Sequence, residues 1–242
     1  MQIWTMKDYD AMSQKAADLF IQQIEKKPGS VMGLATGSTP EGMYALLADK
    51  DTKCPGFFAG ITTFNLDEYF PIDDDNDQSY HYFMNHHLFS KIQLDKGRIH
   101  VPDGHGDPEA VCAAYEKMIE AAGGVDLQIL GIGHNGHIGF NEPDEIFSSA
   151  THVTGLTEST IQANARFFAS ADLVPKQAIT MGVKTIMKSR TILLMASGRA
   201  KAEIIKKALF GPITPKVPAS ALQLHPCVHV VLDEEAAALL SK

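Results

Sequence analysis

The chain of 242 residues is 45% hydrophobic and 21% charged, with a formal net charge of -8 at pH 7, a globular composition that excludes disorder, collagen and a membrane span. The acidic balance argues against a general nucleic-acid surface but leaves room for a local cationic pocket that holds one phosphate. Three widely spaced cysteines, Cys54, Cys112 and Cys227, have no CxxC spacing, which suggests neither a disulfide framework nor structural zinc and fits a reduced cytosol.

The amino terminus acquires acidic residues within its first ten positions and lacks the apolar core of a secretory signal. Residues 7 to 26 follow, with Asp8 and Asp10 ahead of Met12, Ala16, Leu19, Phe20 and Ile24 at helical spacing, closed by Pro28 and Gly29. Val31 to Ala35 reads as a strand, Thr36 to Pro40 as a turn, and the stretch through Met43, Leu46 and Leu47 as a helix. Further apolar runs at 61 to 66, 125 to 132, 178 to 183, 191 to 196 and 228 to 232 alternate with helical patterns such as 107 to 122 and 199 to 210. This alternation predicts one α/β domain over residues 1 to 242, a Rossmann-like parallel-rich sheet with helices on both faces and its sites at the carboxyl ends of strands. Asp73 to Asp77 reads as a solvated acidic loop. Residues 143 to 170, polar and Ser/Thr-rich, form either a lid over a pocket or a long connection.

Four sets of residues carry chemistry. In Gly33-Leu34-Ala35-Thr36-Gly37-Ser38-Thr39-Pro40, Gly37 allows close backbone approach, and Ser38, Thr39 and the following helix N-terminus offer donors to an anion. The segment lacks the Gly-Lys-Ser/Thr of a nucleoside-triphosphate loop. It is either a phosphate cradle or a tight turn with an ordinary cap. In Phe64-Asn65-Leu66-Asp67-Glu68-Tyr69 an apolar strand ends in two carboxylates, one of them a candidate base beside a carbonyl or imine unless both are turn residues.

The run from Gly131 to Pro143 satisfies GxGxxG at its start, yet no convincing helix or acid-terminated second strand follows, so a dinucleotide site is rejected. What remains is His137 between glycine and isoleucine, with Glu142 five residues on. This is a candidate proton-transfer dyad, or else a loop histidine that satisfies backbone groups. His134 and His137 are also weighed as metal ligands with Asp67 or Glu142, alongside His81, His86 and His87, but HxxH lacks the helical i, i+4 geometry of a zinc site. Finally Arg166 and Lys201 are cations able to complete a phosphate cradle if the fold brings them together, and are otherwise surface charges.

Taken together, GLATGSTP, FNLDEY, GIGHNGHIGFNEP, NARFF, SGRAK and LQLHP resemble, in order and spacing, the glucosamine-6-phosphate deaminase family from about residue 30 onward. The resemblance implies Asp67 as general base, His137 as ring-opening acid and base, Glu142 as its carboxylate partner, and Gly37, Ser38, Thr39, Arg166 and Lys201 around the substrate phosphate. It also implies a small amino-sugar phosphate as partner, no metal or organic cofactor, neither nucleic acid nor membrane, and a cytoplasmic setting.

Two departures accompany it. Many members carry an acid where this chain has Asn135, which can still orient the imidazole by hydrogen bonding but not by charge. Longer allosteric members place cations in the segment equivalent to Thr151 to Gly155 and extend further at the carboxyl end. The expectation is therefore a monomer or small homo-oligomer, smaller than a hexamer and not activated by N-acetylglucosamine 6-phosphate. The competing readings are a 6-phosphogluconolactonase-like hydrolase, which needs no base at C2, and a non-catalytic phosphosugar sensor, which would normally carry a DNA-binding module.

Overall fold

The computed structural model describes residues 1–158, 161–162 and 174–240. Its first strand, β1 (Gln2–Met6), is an edge strand the apolar pattern did not announce, because its burial is only partial. Helix α1 (Tyr9–Lys26) starts where the Asp8 side chain accepts the Ala11 N–H, and it buries Met12, Ala16, Phe20 and Ile24, one turn apart on a single face. Then come β2 (Val31–Leu34), α2 (Glu41–Lys53), β3 (Thr62–Asn65), β4 (Asp67–Phe70), α3 (Tyr80–His87), β5 (Ile99–His100), α4 (Pro108–Ala121) and β6 (Leu127–Leu130). The rest of the described chain holds β7 (His152–Gly155), β8 (Gln177–Thr180), α5 (Val183–Met187), β9 (Thr191–Ala196), α6 (Ala202–Phe210) and β10 (Val228–Asp233).

Seven strands form one sheet in the order β1-β10-β9-β6-β2-β3-β5, and every pairing in it is parallel. Consecutive residues of β2 and β6 are all buried, so both faces of the sheet centre are covered, as the alternation of elements predicts. From β2 the chain steps outward through β3 to β5, then returns to lay β6 on the other side of β2. The loops leaving β2 and β6 therefore part in opposite directions, and a crevice opens at the carboxyl ends of these strands.

One expectation fails. The apolar run 178–183 does not join the parallel sheet: β8 lies between β4 and β7 in a separate antiparallel sheet, and Val183 already begins α5. A four-residue apolar strand has the same composition in either sheet, so the pattern could not tell them apart. Leu66 joins the two sheets. The Leu66 N–H donates to the Leu34 carbonyl at 2.9 Å, while its own carbonyl accepts the Met181 N–H at 2.8 Å. Asp67 comes next, opposite Thr180. Among the described residues no helix is long and apolar enough to cross a membrane.

Candidate active site

A cleft of about 680 Å³ opens at the carboxyl ends of the central strands, lined by Gly37, Ser38, Thr39, Asp67, Asn135, His137 and Lys201 among others. The fold thus collects residues from four separate segments. Glu142 stands behind Asn135 and also borders a smaller adjoining hollow. Arg166 lies outside the described residues.

The loop after β2 has the attributes of an anion cradle. Gly37 adopts φ +92°, a left-handed conformation that disfavours any side chain. Helix α2 begins without a side-chain cap from Pro40, and apart from the Gly42 N–H, which the Tyr9 hydroxyl accepts, its N-terminus is open to an anion. Among the described residues the N–H groups and hydroxyls of Ser38 and Thr39 have no hydrogen-bond partner. Two buttresses hold the loop. The Tyr9 hydroxyl donates to the Ser38 carbonyl at 3.0 Å and accepts the Gly42 N–H at 2.8 Å. The Tyr44 hydroxyl, fully buried, donates to the Ala35 carbonyl at 2.6 Å. Lys201, just before α6, donates from Nζ to the Ile132 carbonyl at 2.7 Å, which fixes its ammonium at the cleft wall facing the loop.

The two adjacent carboxylates play different parts. Glu68 is fully buried and accepts the N–H groups of Tyr69, Tyr80 and His81 at 2.8, 2.9 and 2.9 Å. It ties the start of α3 to β4. Burial pushes its carboxyl up to about 7 against the downward pull of those three donors, and its oxygens are committed to the backbone. Asp67 is 6% exposed and faces the cleft. No described residue donates a hydrogen bond to its carboxyl group, and burial, followed by the charge of Glu68, raises it to about 8. A desolvated carboxyl without donors that opens onto a cavity is suited to accept a proton.

His137 sits on a tight turn in which the Gly133 N–H donates to the His137 carbonyl at 2.9 Å. The imidazole lies directly over Gly133, where an added Cβ would meet the ring at 2.2 to 2.4 Å. Only glycine admits the ring there. Nδ1 of His137 lies 3.5 Å from Glu142 Oε2, in contact but outside hydrogen-bond geometry, a spacing that tightens in many sites when ligand arrives.

Asn135 departs from its expected role. It does not touch the imidazole ring: its Nδ2 donates to Glu142 Oε2 at 2.6 Å and its Oδ1 accepts the backbone N–H of His137 at 3.2 Å. The amide thus contacts the partner carboxylate with its nitrogen and the backbone of His137 with its oxygen. Among the described residues no three His, Cys, Asp or Glu side chains converge in a way that would hold a metal ion. His86 and His87 instead line the outer cleft at the end of α3.

Several supporting residues escaped the sequence reading. Tyr69, Tyr80 and Phe140 form an aromatic wall, with the rings of Tyr80 and Phe140 stacked at 5° and 6.0 Å between centroids. Asn141, 4% exposed, donates to the Ile138 and Met181 carbonyls at 2.7 and 2.8 Å and accepts from Ser148, pinning the histidine loop to the end of β8. The Thr157 hydroxyl donates to Glu142 Oε1 at 3.2 Å. Their only signal in the sequence is membership of, or nearness to, the motifs. Pairing across 40 residues has no local signature.

Comparison with known proteins agrees with this geometry. The family model for glucosamine-6-phosphate isomerases/6-phosphogluconolactonase matches residues 7–230. The glucosamine-6-phosphate deaminase of Thermoanaerobacter pseudethanolicus is 53% identical over 241 residues, 99% of this chain and 95% of its own. That of Clostridioides difficile is 51% identical over 242 residues, 100% of this chain and 97% of its own. A solved structure described as a monomeric glucosamine-6-phosphate deaminase superposes with a TM-score of 0.95 at 48% identity, covering 99% of this chain and 100% of its own. The 6-phosphogluconolactonase of Trypanosoma brucei, at a TM-score of 0.78 and 20% identity over 99% of this chain and 98% of its own, shares the fold alone. By its motifs, its fold and these full-length matches, the chain belongs to the glucosamine-6-phosphate isomerase/6-phosphogluconolactonase family, on its glucosamine-6-phosphate deaminase branch.

Proposed function

We infer that this chain converts glucosamine 6-phosphate and water into fructose 6-phosphate and ammonia. The observation that carries the reading is the desolvated Asp67 carboxyl, without a donor among the described residues, opening into the same cleft as His137, which Glu142 contacts from behind, and the Ser38–Thr39 loop, whose donors have no partner among those residues. The loop and Lys201, joined by Arg166, take the phosphate, and the aromatic wall flanks the sugar.

His137 passes the anomeric hydroxyl proton to the ring oxygen, which breaks the C1–O5 bond and exposes an aldehyde at C1. The carbonyl acidifies the C2 hydrogen, and Asp67 takes that proton to leave an enolamine. Return of the proton to C1 gives an iminium at C2. Water adds there, and the C2–N bond breaks to release ammonia. Glu142 holds the Nδ1 side of His137 through the cycle, and Asn135 holds Glu142. Arg166, which lies outside the described residues, is the further phosphate-binding cation that the family motif implies. The three unpaired cysteines accord with a reducing cytoplasmic setting.

The test is release of ammonia and fructose 6-phosphate from glucosamine 6-phosphate by wild type and Asp67→Asn, with and without EDTA. Equal amounts of both products, insensitive to EDTA and reduced about 10²- to 10⁴-fold in the variant, are expected for loss of a general base. A variant that keeps full turnover would assign the base to another group, and a wild type that releases no ammonia but hydrolyses a phosphorylated sugar lactone points to lactonase chemistry. Binding without turnover in the wild type points to a sensor.

A further inference from the structure

Among the described residues Glu142 is gripped from two sides, and one of those grips comes from outside its own loop. Oε2 accepts the Asn135 amide at 2.6 Å and lies 3.5 Å from His137 Nδ1. Oε1 accepts the Thr157 hydroxyl at 3.2 Å from a segment fifteen residues further along the chain. Thr157 is itself placed by packing rather than by chance. Leu156, just ahead of it, donates its N–H to the Lys176 carbonyl at 2.8 Å and is buried against the cluster of Tyr69, Phe140 and Ala178. The Thr157 carbonyl accepts the Ile161 N–H at 2.9 Å.

We propose that Thr157 is a positioning residue for the deamination chemistry, acting on His137 through Glu142; the proposal rests on the function inferred above. A glutamate carboxylate turns freely about its last torsion unless both oxygens are held. With Asn135 on one oxygen and Thr157 on the other, that rotation is fixed and Oε2 is kept toward Nδ1. The arrangement selects the imidazole tautomer with the proton on Nδ1, which leaves Nε2 free to exchange a proton with the sugar. In this chain the neutral Asn135 contributes no charge to the site, so the carboxylate's orientation is what the histidine senses. The aromatic wall that flanks the sugar is also the surface that seats Leu156, so the sugar-binding and proton-relay parts of the site share one support.

The experiment uses the full chain with Thr157→Val, which keeps the shape and removes the donor, and Thr157→Ser, which keeps the donor. Two readouts are taken: steady-state kinetics with glucosamine 6-phosphate, and the 15N shifts of the His137 ring nitrogens in the ligand-free protein. The expected result for Thr157→Val is a fall of about tenfold in kcat, the loss of one hydrogen bond to a charged group, with KM within about twofold. Its His137 changes from one tautomer to a mixture, and Thr157→Ser restores both properties. An unchanged kcat, a loss confined to KM, or an unchanged tautomer in Thr157→Val overturns the proposal. If the wild type releases no ammonia, the inferred function fails, while the tautomer comparison still decides whether Thr157 governs the histidine.

Discussion

Asp67 and Glu68 share a backbone and a composition yet have opposite tasks, and the cause is which way each side chain leaves the junction between the two sheets. Glu68 points to the N-terminus of α3 and is saturated by N–H donors; Asp67 lines the cleft and receives none from the described residues. The sequence placed two acids at the end of a strand but could not rank them, because the ranking depends on three donors, two of which lie twelve and thirteen residues away. The sign of the pH effect follows from the raised carboxyl. Asp67 must be ionised to accept the C2 proton, so kcat/KM should climb with pH to a plateau above about 8, the value burial imposes. Stability moves the other way. The folded chain holds this proton to about 8, against an ordinary value of 3.8, so the benefit is complete below the unfolded value and is lost as pH rises through about 8. Asp67→Asn should therefore raise Tm over wild type more at pH 9 than at pH 5, as read by calorimetry. An equal gain at both pH values would mean that the carboxyl is not desolvated.

At the scale of elements, each site loop is held by contacts that come from outside it. Helix α1 reaches the phosphate loop through Tyr9, which bridges the Ser38 carbonyl and the Gly42 N–H. Tyr9→Phe removes both bonds and leaves the ring in place. KM for glucosamine 6-phosphate should rise about fivefold, corresponding to roughly 1 kcal/mol for a neutral hydrogen bond, with kcat nearly unchanged. A fall in kcat alone would place Tyr9 elsewhere in the cycle. The helical spacing of α1 and the acidic residues at its start were legible in the sequence because they depend on near neighbours. The tyrosine's task was not, since its partners lie 29 and 33 residues away. The same holds for Asn141, whose amide joins the histidine loop to β8, and for β8 itself, assigned by composition to a sheet it does not enter.

For the whole molecule, the sheet order explains why the motifs meet. The loops after β2 and β6 diverge where the strand order reverses, and the phosphate cradle and the histidine loop face each other across that crevice. The strand and helix alternation made the crevice predictable. The small antiparallel sheet, which presents Asp67, carried no comparable pattern. Beside the cleft, β7 and the residue before it, Thr151 to Gly155, carry no lysine or arginine, so this segment offers a second sugar phosphate no such cation. Rate curves for glucosamine 6-phosphate should be hyperbolic and unchanged by N-acetylglucosamine 6-phosphate, and light scattering should give a mass below that of six 26.3 kDa chains. A sigmoidal curve that this ligand makes hyperbolic would contradict the expectation. The central claim is that Asp67 moves the proton at C2, and the most direct measurement uses glucosamine 6-phosphate deuterated at that carbon. Wild type should show slowed turnover and should yield fructose 6-phosphate whose deuterium has moved to C1 or been lost to water, and Asp67→Asn should all but abolish both transfer and loss; undiminished deuterium movement in the variant would assign the base to another group.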